Sequence, residues 1–410
     1  MEVFLYMCKF PNSRVAAILQ QRFSHIVDFR QPWKIKHAFV VIIFAIIIGL
    51  FCGKRTCFGF FRVMQCKEKW VKDIFGVETL PSKYTIRRFI LLVNYEGILE
   101  SLMEFVASFG RPAPGSLLCG DGKTFRSGHE KCQRKNGLHI VTIWCPSLCL
   151  PLAIGRTEEK SSELAQLQTI IPQLDLFGYV LSLDAAGGVP LIAHLIISAG
   201  GDYLLAIKNN QPLTYCEIEE CFTKSIHPLG ASLQEIDEAK KNYDENFYEY
   251  HVKANGRFTT RRVWSKSVDE LPSIEFMKNK WESIKTIICI ETEVTKNKNV
   301  KSEEPNRRYF ISSVEKSTEQ FANLIREHWD IEVMHNILDV TFKEDNSPTA
   351  DRNGLYNIGL LRRYVLSICK MLSKKLKINI PEILDKFAMG DNIALRNAIV
   401  CGSVELINRL

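Results

Sequence analysis

Two short apolar runs, each ending in a carboxylate, constrain this chain more than any other feature. Ser116-Leu117-Leu118-Cys119-Gly120-Asp121 is the first, and Gly178-Tyr179-Val180-Leu181-Ser182-Leu183-Asp184 is the second. A third run, Asp202 to Ile207, follows a Gly187-Gly188 turn and an apolar segment of helical length, Pro190 to Ser198. Between the first two runs, Leu138 to Leu150 reads as a strand pair. Ser161 to Leu174 then reads as a helix with a Ser-x-Glu start suited to capping. Strands of this length alternating with helices imply an α/β sheet with parallel members. In such sheets ligands gather beyond the C-terminal ends of the strands, where both aspartates stand.

Upstream, residues 1–110 read as a helical domain. Helical spacing runs through Arg14 to Phe23, Gly59 to Phe75 and Lys83 to Phe109, with breaks at Gln31-Pro32-Trp33 and Leu80-Pro81-Ser82. Ala38 to Gly53 imitates a membrane span but has 16 residues, against the roughly 20 that a bilayer needs. Its flanks are basic on both sides (Lys34, Lys36, Lys54, Arg55), and no second candidate follows, so a buried core helix is expected. Gly110-Arg111-Pro112-Ala113-Pro114-Gly115 marks a domain boundary. Residues 111–211 then form the first part of the α/β domain. Residues 212–316 change character. After a short helix, Leu213 to Phe222, strand-like pieces at 247–252, 257–264, 284–294 and 309–312 suggest a mostly β insertion, and Lys296 to Asn306 reads as a solvated loop. Residues 317–410 return to helix.

Composition narrows the classes. A net charge of +7 permits a polyanionic partner without requiring one. The 13 cysteines are odd in number, form no Cys-x-x-Cys pair and often sit in apolar runs. They read as small buried hydrophobes in a reducing, cytoplasmic compartment, with neither a disulfide frame nor a zinc site. Met1-Glu2-Val3-Phe4 lacks the basic start of a signal peptide.

A third acid stands after the insertion. His328, Glu332, His335 and Asp339 are spaced four, three and four apart, which places them on one face of a helix. Read alone, that is a solvated charged face. Read with Asp121 and Asp184, Glu332 becomes a third oxygen donor for a pair of Mg²⁺ ions held roughly 4 Å apart, suited to phosphodiester chemistry. Bound metal would also explain the cost of gathering anions in a half-buried site. An aspartate at a strand end serves equally as a turn-former, so pattern alone leaves both readings standing.

Longer motifs go further. Asp121-Gly122-Lys123-Thr124-Phe125-Arg126 is similar to the first-aspartate motif of bacterial insertion-sequence DDE transposases of the H-repeat-associated family. Asp184-Ala185-Ala186-Gly187, with Gly200 to Gln211, resembles the second. Arg326 through His328-Trp329, Ile331-Glu332 and Leu338-Asp339-Val340 to Glu344-Asp345 resembles the third. Asn357 to Arg363 resembles the family's C-terminal helix, and Asp28-x-Arg30, the apolar helix and Leu80-Pro81-Ser82 resemble its associated helical domain. The resemblance covers nearly the whole chain, in order. It implies a ribonuclease-H-like mixed sheet with a catalytic triad of Asp121, Asp184 and Glu332 as metal ligands. Two Mg²⁺ ions would bind there, with Mn²⁺ able to substitute. Glu332 stands 148 positions after Asp184, a separation that fits a β insertion. The implied reaction is cleavage at inverted-repeat transposon ends, then attack of the freed 3′-hydroxyl on target DNA, by a homodimer on DNA.

Supporting residues follow from the same reading. Lys123 and Arg126 are candidates for phosphate contact, or for an exposed salt-bridging turn. Lys208 and Gln211 are placed near DNA, and His328 is read as hydrogen-bonding Glu332 or DNA, or as structural. Trp329 is assigned to the core, and Arg257, Arg261 and Arg262 to a phosphate-binding patch. Some positions depart from the family pattern. Val333 stands where Asn is usual, Asn336 follows His335 where a His-Trp pair is expected about one turn after the glutamate, Val189 replaces a Gln and Thr259 a Glu. Asn346-Ser347-Pro348 replaces an arginine-bearing segment. A copy that binds DNA without cutting it is the alternative these departures keep open.

Overall fold

The computed structural model describes residues 12–400, apart from 126–137, 158–162, 242, 244–245, 255–256, 272, 297–299, 302–304, 350 and 391. The chain folds into two compact units, each drawn from separated stretches. One comprises Met1–Pro112, Gly122–Glu163 and Glu332–Leu410, and the other Ala113–Asp121 and Leu164–Ile331. This division cuts across the four consecutive segments expected from the sequence.

The first unit opens with six helices: α1 (Asn12–Arg22), α2 (Phe39–Phe51), α3 (Cys57–Cys66), α4 (Glu68–Phe75), α5 (Lys83–Leu92) and α6 (Tyr95–Ala107). Every residue of α2 from Val40 to Phe51 is buried, as a helix apolar on all sides requires. Each such Ile, Val or Leu contributes about 1.5–3 kcal/mol by leaving water. Two helices expected as single pieces are each broken. Lys67 leaves helical geometry between α3 and α4 (φ −107°, ψ 23°). Asn94 starts α6 afresh by accepting the Glu96 N–H on its side chain.

In chain order β1 (Leu117–Thr124), β2 (His139–Cys145) and β3 (Leu150–Thr157) follow, with β2 and β3 antiparallel in the first unit. Next come α7 (Glu163–Ile170), β4 (Val180–Leu183), α8 (Pro190–Ser198), β5 (Asp202–Ile207), α9 (Pro212–Thr223), α10 (Leu233–Lys240), β6 (Phe247–Ala254), β7 (Arg257–Ser267), α11 (Ile274–Lys280), β8 (Thr286–Lys296), β9 (Val300–Lys301) and β10 (Asn306–Ser312). The chain ends in α12 (Thr318–His328), α13 (Asp330–Val340), α14 (Arg352–Leu376), α15 (Ile380–Ala388) and α16 (Asn392–Val400).

Within the second unit β1, β4 and β5 run parallel. All four residues of β4 are buried, the usual state of a parallel central strand. Antiparallel to β5 lies β10, followed by β8, β7 and β6. The mostly β segment therefore extends the same mixed sheet rather than forming a body of its own. Parallel strands continued by an antiparallel extension, with a helical N-terminal region, make this a mixed α/β fold.

The C-terminal helices belong to the first unit. Residues Gly354 to Cys369 of α14 are all buried, and α14 packs on α2, α5 and α6. Asn357 Nδ2 donates to the carbonyls of Ile90 (2.9 Å) and Val93 (3.0 Å), closing backbone groups left open at the end of α5. Arg22 donates to the Ile399 carbonyl at 2.8 Å and to the Tyr364 hydroxyl. The N-terminal helices and the chain's last helices thus share one core. Among the described residues no helix is long and apolar enough to cross a membrane.

Candidate functional site

The site begins with strand register. Leu117 pairs with Val180 and, three residues on, Gly120 pairs with Leu183. Asp121 and Asp184 each follow that last pair by one residue. Asp184 follows the end of β4, whereas Asp121 lies inside β1, which runs on to Thr124. The expected strand-end position therefore holds for Asp184 alone, and the two acids share the next register position beyond the β1–β4 pairing. Asp121 is half-buried and Asp184 exposed. The Ala186 and Gly187 N–H groups donate to Asp184 Oδ1 at 2.9 and 3.4 Å, a turn that fixes the carboxylate's direction.

Glycines beside both aspartates are dictated by space. A Cβ on Gly188 would stand 2.3 Å from the Ala206 carbonyl oxygen of β5. One on Gly122 would stand 2.2 Å from His139 Nε2. His139 is held in turn, paired with Glu163 at 3.2 Å and hydrogen-bonded through Nδ1 to the Thr124 hydroxyl at 2.8 Å. The segment immediately after Asp121 is thus pinned from the side.

His328 differs from expectation. Helix α12 ends at His328, Trp329 caps it (φ −67°, ψ −7°) and α13 starts at Asp330. His328 and Glu332 therefore lie on different helices, and the single charged face is broken. A tertiary contact accompanies the break: the Arg261 guanidinium stacks over the Trp329 ring, 3.5 Å from its centroid, so Trp329 is a half-buried stacking partner and not a core residue. Burial pushes the His328 imidazole below its ordinary pKa, against the pull of the Asp121 charge. His328 Nδ1 is buried with no hydrogen-bond partner among the described residues.

Glu332 lies in the first turn of α13 and is exposed. It belongs to the first unit and the two aspartates to the second. Among the described residues no group of three or more His, Cys, Asp or Glu side chains is placed to hold a metal ion. What the second unit brings together is the aspartate pair. Two carboxylates at neighbouring register positions of adjacent strands offer the hard oxygen donors that suit Mg²⁺.

The basic residues divide sharply. Lys123 is 6% exposed, and its ammonium donates to Asp339 (2.6 Å) and Asp345 (3.3 Å). Its charge is met inside the protein, which corrects the expectation of a phosphate contact. Arg126 lies outside the described residues. On β7 successive side chains point to opposite faces. Arg262 is accordingly buried, 3% exposed, among Glu249 (2.8 Å), Glu291 (3.0 Å) and Glu293 (3.0 Å), and has no face for DNA. Arg261 stacks on Trp329, and Arg257 is exposed.

Lys208 is exposed and lines a cleft of about 520 Å³ together with Ala185, Asn210, Arg307 and Arg308, next to the Asp184 turn. Asn210 Nδ2 donates to the Ala185 carbonyl at 2.7 Å, and the half-buried Gln211 donates its N–H to the Lys208 carbonyl at 2.9 Å. Sequence reasoning missed Arg308. Tyr309 pairs with Ile207, so Arg308 falls opposite Lys208. The only sequence signal was the Arg307-Arg308 doublet, and its first member is neutralised by Glu291 at 2.8 Å.

Residues 112–366 match the Transposase DDE domain family, and residues 20–106 match the DDE_Tnp_1-associated family. The chain is 26% identical over 379 residues to "H repeat-associated putative transposase YhhI" of Escherichia coli (strain K12), covering 91% of this chain and 96% of that one. "Putative transposase YncI" of Escherichia coli O157:H7 is 28% identical over 356 residues, covering 85% of this chain and 86% of that one. Among solved structures the chain aligns with the piggyBac transposase synaptic complex with hairpin DNA, with a TM-score of 0.44 at 8% identity, covering 98% of this chain and 82% of that one. The chain belongs to the DDE transposase family.

Proposed function

We propose that this protein is a DNA transposase that cleaves strands at the inverted-repeat ends of its element and joins the freed 3′-hydroxyl to target DNA. The observation that carries the reading is the Asp121–Asp184 pair, at neighbouring register positions just beyond the β1–β4 pairing, within a DDE transposase family domain. Asp121, Asp184 and Glu332 are assigned the two Mg²⁺ ions, with Mn²⁺ able to substitute. When bound, the metal supplies polarisation of the attacking oxygen and stabilisation of the leaving one. The chain's own groups position and orient. Backbone N–H groups hold the Asp184 carboxylate in its turn. Lys208 and Arg308 present positive charge beside that turn, suited to the phosphates flanking a scissile bond. DNA is the substrate, and a homodimer spanning two ends is the assembly this chemistry calls for.

The test is strand cleavage of a plasmid carrying the element's inverted repeats, with Mg²⁺. Wild type should nick at the repeat ends, and Asp184→Asn should lose at least about 100-fold in rate, as expected when a group acting on the transition state is removed. Cleavage that survives Asp184→Asn would overturn the assignment. Val333, half exposed directly after Glu332 where the family has Asn, favours a second reading: DNA binding without cleavage. Wild-type protein that binds the repeats but fails to cut them whichever divalent metal is supplied would establish it.

A further inference from the structure

The Asp184 turn is tied to the end of β5 at two points. One is backbone: a Cβ on Gly188 would stand 2.3 Å from the Ala206 carbonyl oxygen, so the turn passes β5 at a distance only glycine allows. The other is a side chain. Asn210, just beyond the last residue of β5, donates from Nδ2 to the Ala185 carbonyl at 2.7 Å. A carbonyl only accepts, so this contact also decides which way the Asn210 amide faces. The backbone beside Asn210 is itself fixed. The Gln211 N–H closes a turn on the Lys208 carbonyl at 2.9 Å, and α9 starts directly afterwards at Pro212.

The Ala185 carbonyl and the Ala186 N–H belong to one peptide group, which is planar and rigid. Its oxygen accepts from Asn210 Nδ2 and, at 3.3 Å, from the Gly188 N–H. Its N–H donates to Asp184 Oδ1 at 2.9 Å. Rotating that plane would break both ends at once, the Asn210 bond and the bond that aims the carboxylate. Donation to the oxygen also polarises the amide, which makes its N–H a stronger donor to Asp184. Asn210 is exposed and lines the same cleft as Lys208. Water could satisfy an exposed amide, so the effect of the 2.7 Å bond falls on the turn rather than on Asn210.

We infer that Asn210 is a positioning residue for the reaction: it locks the Ala185–Ala186 peptide and so aims the Asp184 carboxylate. The inference rests on the reading of Asp184 as a metal ligand, and it extends the site to the loop after β5. Asn210 acts through Asp184 and not on the reacting atoms. Groups that orient a metal ligand in this way govern metal affinity or rate by about 10–100-fold.

The experiment uses the full chain and compares wild type with Asn210→Ala, Asn210→Gln and Asp184→Asn. Mn²⁺ binding is followed by electron paramagnetic resonance in the presence of an inverted-repeat duplex. Plasmid cleavage supplies kcat and KM, and mass spectrometry follows hydrogen exchange of residues 184–188. Asn210→Ala should weaken Mn²⁺ binding and lower kcat, each by about 10–100-fold. It should leave KM for DNA and the melting temperature unchanged while the Ala186 and Gly187 amides exchange faster. Asn210→Gln, which keeps an amide donor on a longer side chain, should recover part of the loss. Unchanged Mn²⁺ binding in Asn210→Ala overturns the inference. A loss carried by KM overturns it too, and would make Asn210 a DNA contact instead. If Asp184→Asn binds Mn²⁺ as wild type does, Asp184 is no ligand and the inference falls with that reading. If wild type never cuts, yet Mn²⁺ binding and exchange both shift in Asn210→Ala, the positioning role stands and the cleavage assignment fails.

Discussion

At Asp121 the neighbours matter as much as the carboxylate. Gly122 follows it where a Cβ would press on His139, so Gly122→Ala must push apart β1 and the His139–Glu163 pair. We expect a loss of about 1–3 kcal/mol in stability from such overpacking, measured by urea unfolding, and a drop in strand cleavage larger than any drop in DNA binding. Lys123, one residue further, makes the opposite point. The sequence offers an exposed-looking lysine after an aspartate, but its partner Asp339 lies 216 positions away, a distance no local pattern spans. Lys123→Met should lower stability by about 2–3 kcal/mol, less than a fully buried pair because Asp339 keeps some contact with water. Its salt slope for DNA binding should match wild type, whereas a phosphate-binding lysine would lower it by about one.

Among the elements, what was legible was what local periodicity controls. The apolar runs became β1, β4 and β5, and the 16-residue apolar stretch became the buried α2. The break between α12 and α13 was not legible, since the stacking of Trp329 under Arg261 depends on a strand far away in the chain. Strand β7 shows the same limit. Its three arginines were read as one patch, but alternation sends Arg262 inward to three glutamates. Arg262→Leu should destabilise by about 3–5 kcal/mol, because it leaves those carboxylates crowded and uncompensated. The cluster also sets an acid dependence. Burial works to raise the Glu291 pKa, but hydrogen bonds and charge from His227 and Arg307 prevail and hold it below its ordinary value. The unfolded chain then binds more protons in the acid range, so this contribution is full above the ordinary glutamate pKa and is lost as pH falls through the depressed one. Urea midpoints between neutral pH and pH of about 3 should fall more steeply for wild type than for Glu291→Gln.

For the whole molecule, the consecutive domains suggested by the Gly110–Gly115 linker give way to units assembled from distant segments. A linker is visible in composition, but a shared core is not. Its proof is the burial of α14 against α2, α5 and α6. A fragment of residues 1–112 should therefore fail to fold alone, giving weak near-ultraviolet circular dichroism and aggregation. Co-expression with residues 332–410 should improve its solubility.

The same shared core has a bearing on synthesis. Helix α2 leaves the ribosome early, but α14, which packs on it, is completed only at Leu376. At ordinary translation rates the interval is on the order of tens of seconds. Throughout it the most apolar segment of the chain lacks part of its cover, so nascent chains stalled before Arg352 should be captured by holdase chaperones and cleaved by protease at α2. Chains released at full length should not. A 3′-truncated copy of the gene would then give a product removed by quality control rather than a competitor for the element's ends.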